Sequence, residues 1–467
     1  MDIWQTAIAL LATAAGVTCA THALLRKREP RAALGWLAVC LLVPVIGAIL
    51  YVMFGINRVH ARARRLQQQD RHLPKPDHDP VHVVAVSDDL TPLAKLSGSL
   101  QHWPLTTGNL VVPLLNGDSA YAAMLAAIRG AQERVFLSSY IFDPGLGFVS
   151  ALEDAQARGV DVRVIVDGIG EWYSWPHISR ELKRRRIPVR RFNPPSLFPP
   201  SLQINLRNHR KILAIDGTTA FAGGMNLAHR HLAEEGTELP AVVDRHFRFE
   251  GPVVGQLEQV FLEDWERVTG EDAPAAPRIV RAGDGSSVCR ALTDGPGEDM
   301  DKLTMVLTGA VSLARREVLV MTPYFLPPRE LTGALVGAAL RGVDVSIILP
   351  GTNNLAPVHW ATQRMLWELL RYDVRVFYQP GPFVHSKLFV VDGEYAQVGS
   401  SNLDPRSLRL NFELAVEIFD AQCASALAAD CRTARRGSHE VTLTALDARP
   451  LPLRLRNSLA WLLSPYL

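Results

Sequence analysis

A histidine and a lysine stand two residues apart at two places in this chain, in NHRKILAIDG (208–217) and in VHSKLFVVDG (384–393). On extended backbone alternate side chains share a face, so His209 projects with Lys211 and His385 with Lys387. An aspartate and a glycine close both stretches, Asp216-Gly217 and Asp392-Gly393, and seven residues beyond each aspartate begins a Gly-x-x-Asn element, GGMN (Gly223 to Asn226) and GSSN (Gly399 to Asn402). One such pair is ordinary solvated strand-end chemistry. A six-position pattern that returns at identical spacing points to one site built from two copies.

Two histidines, two lysines and two asparagines meeting in one cleft would hold an anion. The ammonium groups and the amides of Asn226 and Asn402 can bind the non-bridging oxygens of a phosphate and stabilise charge developing on them. One imidazole, neutral, can attack phosphorus and form a phosphohistidine. The other, protonated, can give its proton to the leaving alkoxide and then serve as base for the acceptor. Histidine titrates near 6.5 and suits either part once its surroundings separate the two. Each ring calls for a carboxylate on its other nitrogen, and Asp244 in VVDRHF and Glu413 in LNFELAV are the candidates. Asp216 and Asp392 sit at Asp-Gly turns, which favours a structural part for them. No carboxylate cluster suited to Mg²⁺ or Ca²⁺ accompanies the motifs, so neither a metal nor another cofactor is expected.

The elements that must position these residues also come twice. RGVDVRVIVD (158–167) and RGVDVSIILP (341–350) are near copies, each a helix end running into a buried strand. Apolar runs precede them (VFLSSYIF, 135–142; VLVMTPYF, 318–325), amphipathic helices are predicted at 146–158 and 328–341, and short strands follow (PVRRF, 188–192; VRVFY, 374–378). Alternating strands and helices predict an α/β fold, a duplicated, bilobal catalytic domain whose halves pair face to face around one cleft. The expected boundaries are 108–285 for the first half and 286–467 for the second. Residues 66–107, polar and Pro/His-containing at QQQDRHLPKPDHDP, read as a linker.

The first 65 residues are of another kind. Ile3 to Leu25 carries no charge, and Ala32 to Phe54 exceeds the roughly 20 apolar residues a membrane helix needs. With only RKREPR (26–31) near the turn, the two read as a transmembrane hairpin, spans about 3–25 and 32–54. A signal peptide fits less well, because Asp2 and no Lys or Arg precedes the first apolar run. The hairpin loop and the stretch after the second span each carry four basic residues, which leaves the side of the membrane undecided.

Bulk composition agrees with a cored globular chain: 467 residues, 48% hydrophobic and 21% charged. A net charge of +2 gives no argument for nucleic acid, despite local basic runs such as KRRR (183–186). The five cysteines have neither metal nor disulfide spacing. His177, His229, His246 and His359 have no evident partner and read as surface or packing residues.

The doubled H-x-K-x4-D-x6-G-x-x-N pattern resembles the phospholipase D superfamily. The flanking blocks LRNHRKILAIDGTTAFAGGMNLAHRHL, MTPYFLPPRELTGAL, GSSNLDPRSLRLNFE and SLAWLLSPYL, with the apolar N-terminus, are more narrowly similar to bacterial cardiolipin synthases. That resemblance implies His209, Lys211, Asp216, His385, Lys387 and Asp392 as the catalytic set, with Asn226, Ser400 and Asn402 on the substrate phosphate. The first copy departs from the pattern with Gly224 where Ser400 stands in the second. The resemblance further implies a multi-pass protein of the bacterial cytoplasmic membrane that acts on phosphatidylglycerol and other membrane lipid. The reaction implied is metal-independent phosphatidyl transfer between two phosphatidylglycerols, giving cardiolipin and glycerol, with His209 as nucleophile. NPPSLFPPSLQIN (193–205) is either an acyl-chain entrance or a plain loop. The nearest alternative is a membrane-bound phospholipase D that hydrolyses phospholipid to phosphatidic acid. A nuclease fits poorly with membrane spans. A non-catalytic lipid-binding protein fits poorly with four intact His and Lys positions.

Overall fold

The near copies at 158–167 and 341–350 become the buried strands Asp161–Asp167 and Asp344–Pro350, each the middle of a parallel trio. In the first half the trio is Arg134–Ser139, Asp161–Asp167 and Val189–Phe192; in the second it is Glu317–Met321, Asp344–Pro350 and Arg375–Gln379. Antiparallel strands then follow in matching order. Ile212–Ile215, Thr219–Gly223, Arg245–Glu250 and Thr106–Leu115 continue the first half. Leu388–Val391, Tyr395–Gly399, Glu413–Phe419 and Ser287–Asp294 continue the second. The α/β character expected of the duplication is therefore present in both halves.

This computed structural model describes residues 3–27, 30–55, 86–197, 200–201, 205–233, 240–271, 285–296 and 301–464. The basic run at 58–65, linker residues 66–85, most of 198–204 and the last three residues lie outside these. The chain divides into two compact units, Met1–Arg65 and Leu66–Leu467. Within the larger unit the halves meet along an edge, Thr106–Leu115 against Ser287–Asp294, so that fifteen strands form one mixed sheet. Face-to-face packing was the expectation. Edge pairing replaces it because both central strands are antiparallel neighbours with free backbone donors on their outer sides.

Helices cover both faces of the sheet. Phe148–Ala157 buries Phe148, Val149, Ala151, Leu152 and Ala155, the i, i+3, i+4 stripe its sequence predicts. Val253–Thr269 lies on the other face, where Phe261 stacks on Phe136 with centroids 5.1 Å apart. Each fully buried Leu, Val or Phe of this kind stabilises the fold by about 1.5–3 kcal/mol. Linker residues 91–100 turn out to be a helix. Thr91–Leu100 buries Leu93, Ala94 and Ser97 against the second half. The buried Arg290 fastens it there, donating to Ser97 Oγ at 2.5 Å, Ala94 O at 2.9 Å and Glu417 Oε1 at 2.5 Å.

In the smaller unit Ile3–Arg26 is a 24-residue helix, apolar and long enough to cross a bilayer, and the only one among the described residues to meet that test. The second expected span is divided. Pro30–Leu42 stops at Val43, Pro44–Leu50 resumes, and one π turn, Tyr51–Gly55, ends the segment. Pro44 lacks the N–H that would bond Cys40 O, which breaks the helical ladder there. Gly16 comes so close to this break that a Cβ on it would lie 2.5 Å from Cys40 O.

Candidate active site

His209, Arg210 and Lys211 precede the strand Ile212–Ile215, and His385, Ser386 and Lys387 precede Leu388–Val391. The histidines and lysines were expected on the strands themselves. They stand instead on extended chain whose backbone partners lie across the molecule. His209 N donates to Phe412 O at 2.9 Å, and His385 N donates to Val243 O at 2.7 Å. Each acceptor immediately precedes a carboxylate, Glu413 or Asp244. Backbone pairing thus carries each histidine to the carboxylate of the opposite half.

The side chains complete that crossing. His209 Nδ1 lies 2.9 and 3.0 Å from the Glu413 oxygens, and His385 Nδ1 lies 2.8 Å from Asp244 Oδ2. A carboxylate only accepts, so in His209 Nδ1 carries the proton and Nε2 keeps the lone pair, whereas His385 Nδ1 lies between Asp244 Oδ2 and Lys387 Nζ, the latter at 3.0 Å. Both carboxylates are wholly buried, while the His209 and His385 side chains are 12% and 13% exposed, which marks the opening of the cleft. Lys211 Nζ donates to His209 O and Lys387 Nζ to His385 O, each at 2.6 Å. Tyr140 stands edge-on to His209 at 5.4 Å, and Tyr324 edge-on to His385 at 6.4 Å.

Rigid shells hold this arrangement. In the first half Asp167 accepts from Asn208 N at 3.0 Å and Arg207 Nη1 at 3.2 Å, while Asp264 accepts from Asn208 Nδ2 at 2.8 Å and Arg210 Nη1 at 2.9 Å. In the second, Phe383–Val384 pairs in parallel with Val242–Val243.

Burial sets the titration of the site and the neighbouring charges modulate it. Burial lowers Lys211 to about 7 and Lys387 to about 8 against the raising pull of Glu413 and Asp244, with Lys387 adding to the first shift and Arg230 to the second. Burial also lowers both histidines. For His209 the Glu413 carboxylate opposes this, whereas Lys387, Lys211 and His209 drive His385 further down, well below its usual value. The carboxylates differ too. Burial raises both, but the His209 ring, Lys211 and the Ser400 hydroxyl hold Glu413 down at about 2. Asp244 stays raised by its burial despite Lys387.

Ser400 and Gly224 account for part of that difference. Ser400 Oγ donates to Glu413 Oε2 at 2.5 Å, which orients that carboxylate. A Cβ on Gly224 would lie 3.0 Å from Asp244 Oδ1, so the missing hydroxyl would have stood in the matching place. Asn226 Oδ1 accepts from Ile141 N at 3.1 Å, which turns its NH₂ group into the donor left over. Asn402 is 6% exposed, and its Oδ1 has no partner among the described residues.

Asp216 and Asp392 are not brought to the cleft. Asp216 accepts from Gln132 N, Glu133 N and Arg134 N, each at 2.8 Å, and Asp392 from Arg315 N, Arg316 N and Glu317 N at 2.8–2.9 Å. Each is at the far end of its strand from the lysine, at a φ of 52° and 54° that a turn requires. These bonds brace the two Asp-Gly turns. Of the other histidines, His246 is buried and pushed by burial down to about 4. Tyr140, Tyr324 and Arg230 were not singled out from the sequence. Arg230, four residues after Asn226, adds to the positive charge felt by His385 and Lys387. Its only sequence signal is the parallel with Arg406, four residues after Asn402.

Residues 124–265 and 307–433 match the family described as cardiolipin synthase, PLD-like domain, and residues 14–55 match the phospholipase D-nuclease N-terminal family. A cardiolipin synthase A of Pseudomonas putida is 32% identical over 97% of this chain and 96% of its own length. A cardiolipin synthase of Geobacillus kaustophilus is 30% identical over 95% of this chain and 90% of its own. Among solved structures, phosphatidylserine synthase of Haemophilus influenzae superposes with a TM-score of 0.61 at 16% identity, covering 80% of this chain and all of that one, which is a likeness of fold.

Proposed function

The chain belongs to the cardiolipin synthase family of phospholipase D-like phosphatidyltransferases, and from that membership we propose that it joins two phosphatidylglycerols into cardiolipin and glycerol through a phosphohistidine. The observation that carries the reading is the crossed pairing of His209 with Glu413 and His385 with Asp244. A two-step transfer needs one imidazole to attack and a second to move the proton.

His209 is the nucleophile. Its Nε2 bonds to phosphorus while Glu413, held ionised, accepts Nδ1–H and balances the positive charge that forms on the ring. The bond from phosphorus to the glycerol oxygen breaks as His385 delivers a proton from Nε2 to that oxygen. His385 is neutral in the empty cleft, and the charge of the entering phosphodiester favours its protonation. In the second step the hydroxyl of another phosphatidylglycerol returns a proton to His385 as its oxygen displaces Nε2 of His209 from phosphorus. Lys211, Lys387 and the amides of Asn226 and Asn402 hold the non-bridging oxygens throughout. The lysines supply the charge a divalent ion would, so the transfer is metal-independent. The two N-terminal apolar segments enter the bacterial cytoplasmic membrane as a hairpin and keep the chain with its lipids. The match of residues 14–55 supports this.

The test is a product assay on the purified full chain with phosphatidylglycerol vesicles and EDTA. Cardiolipin with equimolar glycerol is expected. Phosphatidic acid in place of cardiolipin would mean that water is the acceptor, and would overturn the transferase reading.

A further inference from the structure

The helix Leu451–Leu462 is inverted for a helix facing water. Its inner side carries Asn457, 3% exposed, which donates to Gln363 Oε1 at 3.0 Å, and Ala460, which packs with Val358 and Ala361. Its outer side carries Leu451, Leu455, Leu459 and Leu462, spaced by four, four and three residues and so on one stripe, 65, 55, 64 and 64% exposed. Arg454 lies exposed on the same helix, and Arg456 reaches over the Trp360 ring at 4.4 Å.

A second apolar group rises from the first half. The loop after Asp161–Asp167 exposes Trp172, Tyr173 and Trp175 by 58, 68 and 77%. Both groups lead to the site. Tyr173 meets Tyr140 at 6.2 Å, and Tyr140 lies against His209. Ala460 shares a cluster with Tyr324 and Phe383, whose rings lie against His385. His209 is one aromatic ring away from the exposed Tyr173, and the Tyr324 and Phe383 rings beside His385 pack on the inner side of the helix whose outer side carries the leucine stripe. The rings of Tyr140, Tyr324 and Phe383 stand between these two groups and the two histidines, so both groups border one rim of the cleft.

We propose that this rim docks on the surface of an anionic phospholipid bilayer, with Trp172 and Trp175 on one side and the leucine stripe of 451–462 on the other sunk into its interfacial layer. The docking deepens the lipid-substrate reading above and rests on it. A lipid headgroup would then pass from bilayer to cleft without crossing bulk water. The composition favours lipid over a protein partner: tryptophan belongs at the interface of bilayer and water, and the exposed Arg454 beside the leucine stripe complements an anionic surface.

The experiment uses the full chain reconstituted in phosphatidylglycerol-containing bilayers. Brominated phospholipids should quench the emission that Trp172→Phe/Trp175→Phe removes, a readout that needs no turnover. The triple variant Leu455→Ser/Leu459→Ser/Leu462→Ser should lose at least tenfold in turnover of long-chain phosphatidylglycerol in bilayers. Its turnover of monomeric short-chain phosphatidylglycerol should stay within twofold. Unquenched tryptophans, or equal loss on both substrates, would overturn the proposal. So would a variant that only breaks a dimer and leaves bilayer turnover intact, since the stripe would then join two copies of this chain. Quenching without turnover of any phosphatidylglycerol would support docking and count against the proposed reaction instead.

Discussion

Replacing Lys211 with methionine should make the protein more stable in acid while abolishing turnover, and the stability gain should fade in alkali. Lys211 is 3% exposed, bonded to His209 O at 2.6 Å, with its ammonium 5.7 Å from the Tyr140 ring. Burial, reinforced by Lys387 and opposed by Glu413 and Asp244, moves it from 10.5 to about 7. A lysine depressed in the folded state binds fewer protons there than in the unfolded chain between pH 7 and 10.5. Stability therefore rises with pH across that window, and below it the cost of the buried charge is felt in full. From 10.5 to about 7, at 1.36 kcal/mol per decade, the ceiling is about 5 kcal/mol. Losing the bond to His209 O takes back about 1.5–3 kcal/mol. A methionine of similar volume should thus gain about 2–3 kcal/mol at pH 6 and nothing at pH 10. Thermal unfolding of the detergent-solubilised full chain at both pH values measures this. A variant less stable than wild type at pH 6, or a difference independent of pH, would refute the claim that the site holds a strained cation ready for phosphate.

His209→Ala and His385→Ala should each abolish turnover, with the variants still recovered in the membrane fraction; substantial activity in either would sink the two-histidine mechanism. Ser400→Ala removes the hydroxyl that Glu413 accepts from, so the carboxylate should titrate higher. The acid limb of the pH–rate profile should then move up and kcat should fall about 10- to 100-fold; an unmoved limb would deny Ser400 an orienting part. Asp216→Asn keeps a residue tolerant of positive φ but loses the charge that three backbone N–H groups bond, costing about 2–3 kcal/mol of stability. The activity of the protein that remains folded should match wild type, and a loss of kcat without loss of stability would place Asp216 in the chemistry after all.

The duplicated α/β plan was legible because periodicity and near-identical strands such as 161–167 and 344–350 carry it locally. The crossing of His209 to Glu413 was not, because the two are 204 positions apart in the chain and pairing across halves leaves no spacing to read. Glu413 and Asp244 were found as candidates only by their nearness to the motifs. The bond from Ser400 to Glu413 was not legible for the same reason: the carboxylate lies thirteen residues on, across an antiparallel strand pair. The helix at 91–100 went unread because Pro92, Ser97 and Gly98 weaken its local signal, and the packing of Leu93 and Ala94 against the second half decides it. The apolar run at 32–54 reads as one span by hydropathy, whereas Pro44 breaks the helix that hydropathy assumes.

The central claim is tested most directly by trapping the intermediate. The full chain would be mixed with phosphatidylglycerol labelled at its phosphate, quenched in alkali within one turnover, digested and mapped. The account predicts an alkali-stable, acid-labile label on the peptide that holds His209. Label on the His385 peptide instead, or turnover to cardiolipin with no labelled histidine at any time point, would contradict it.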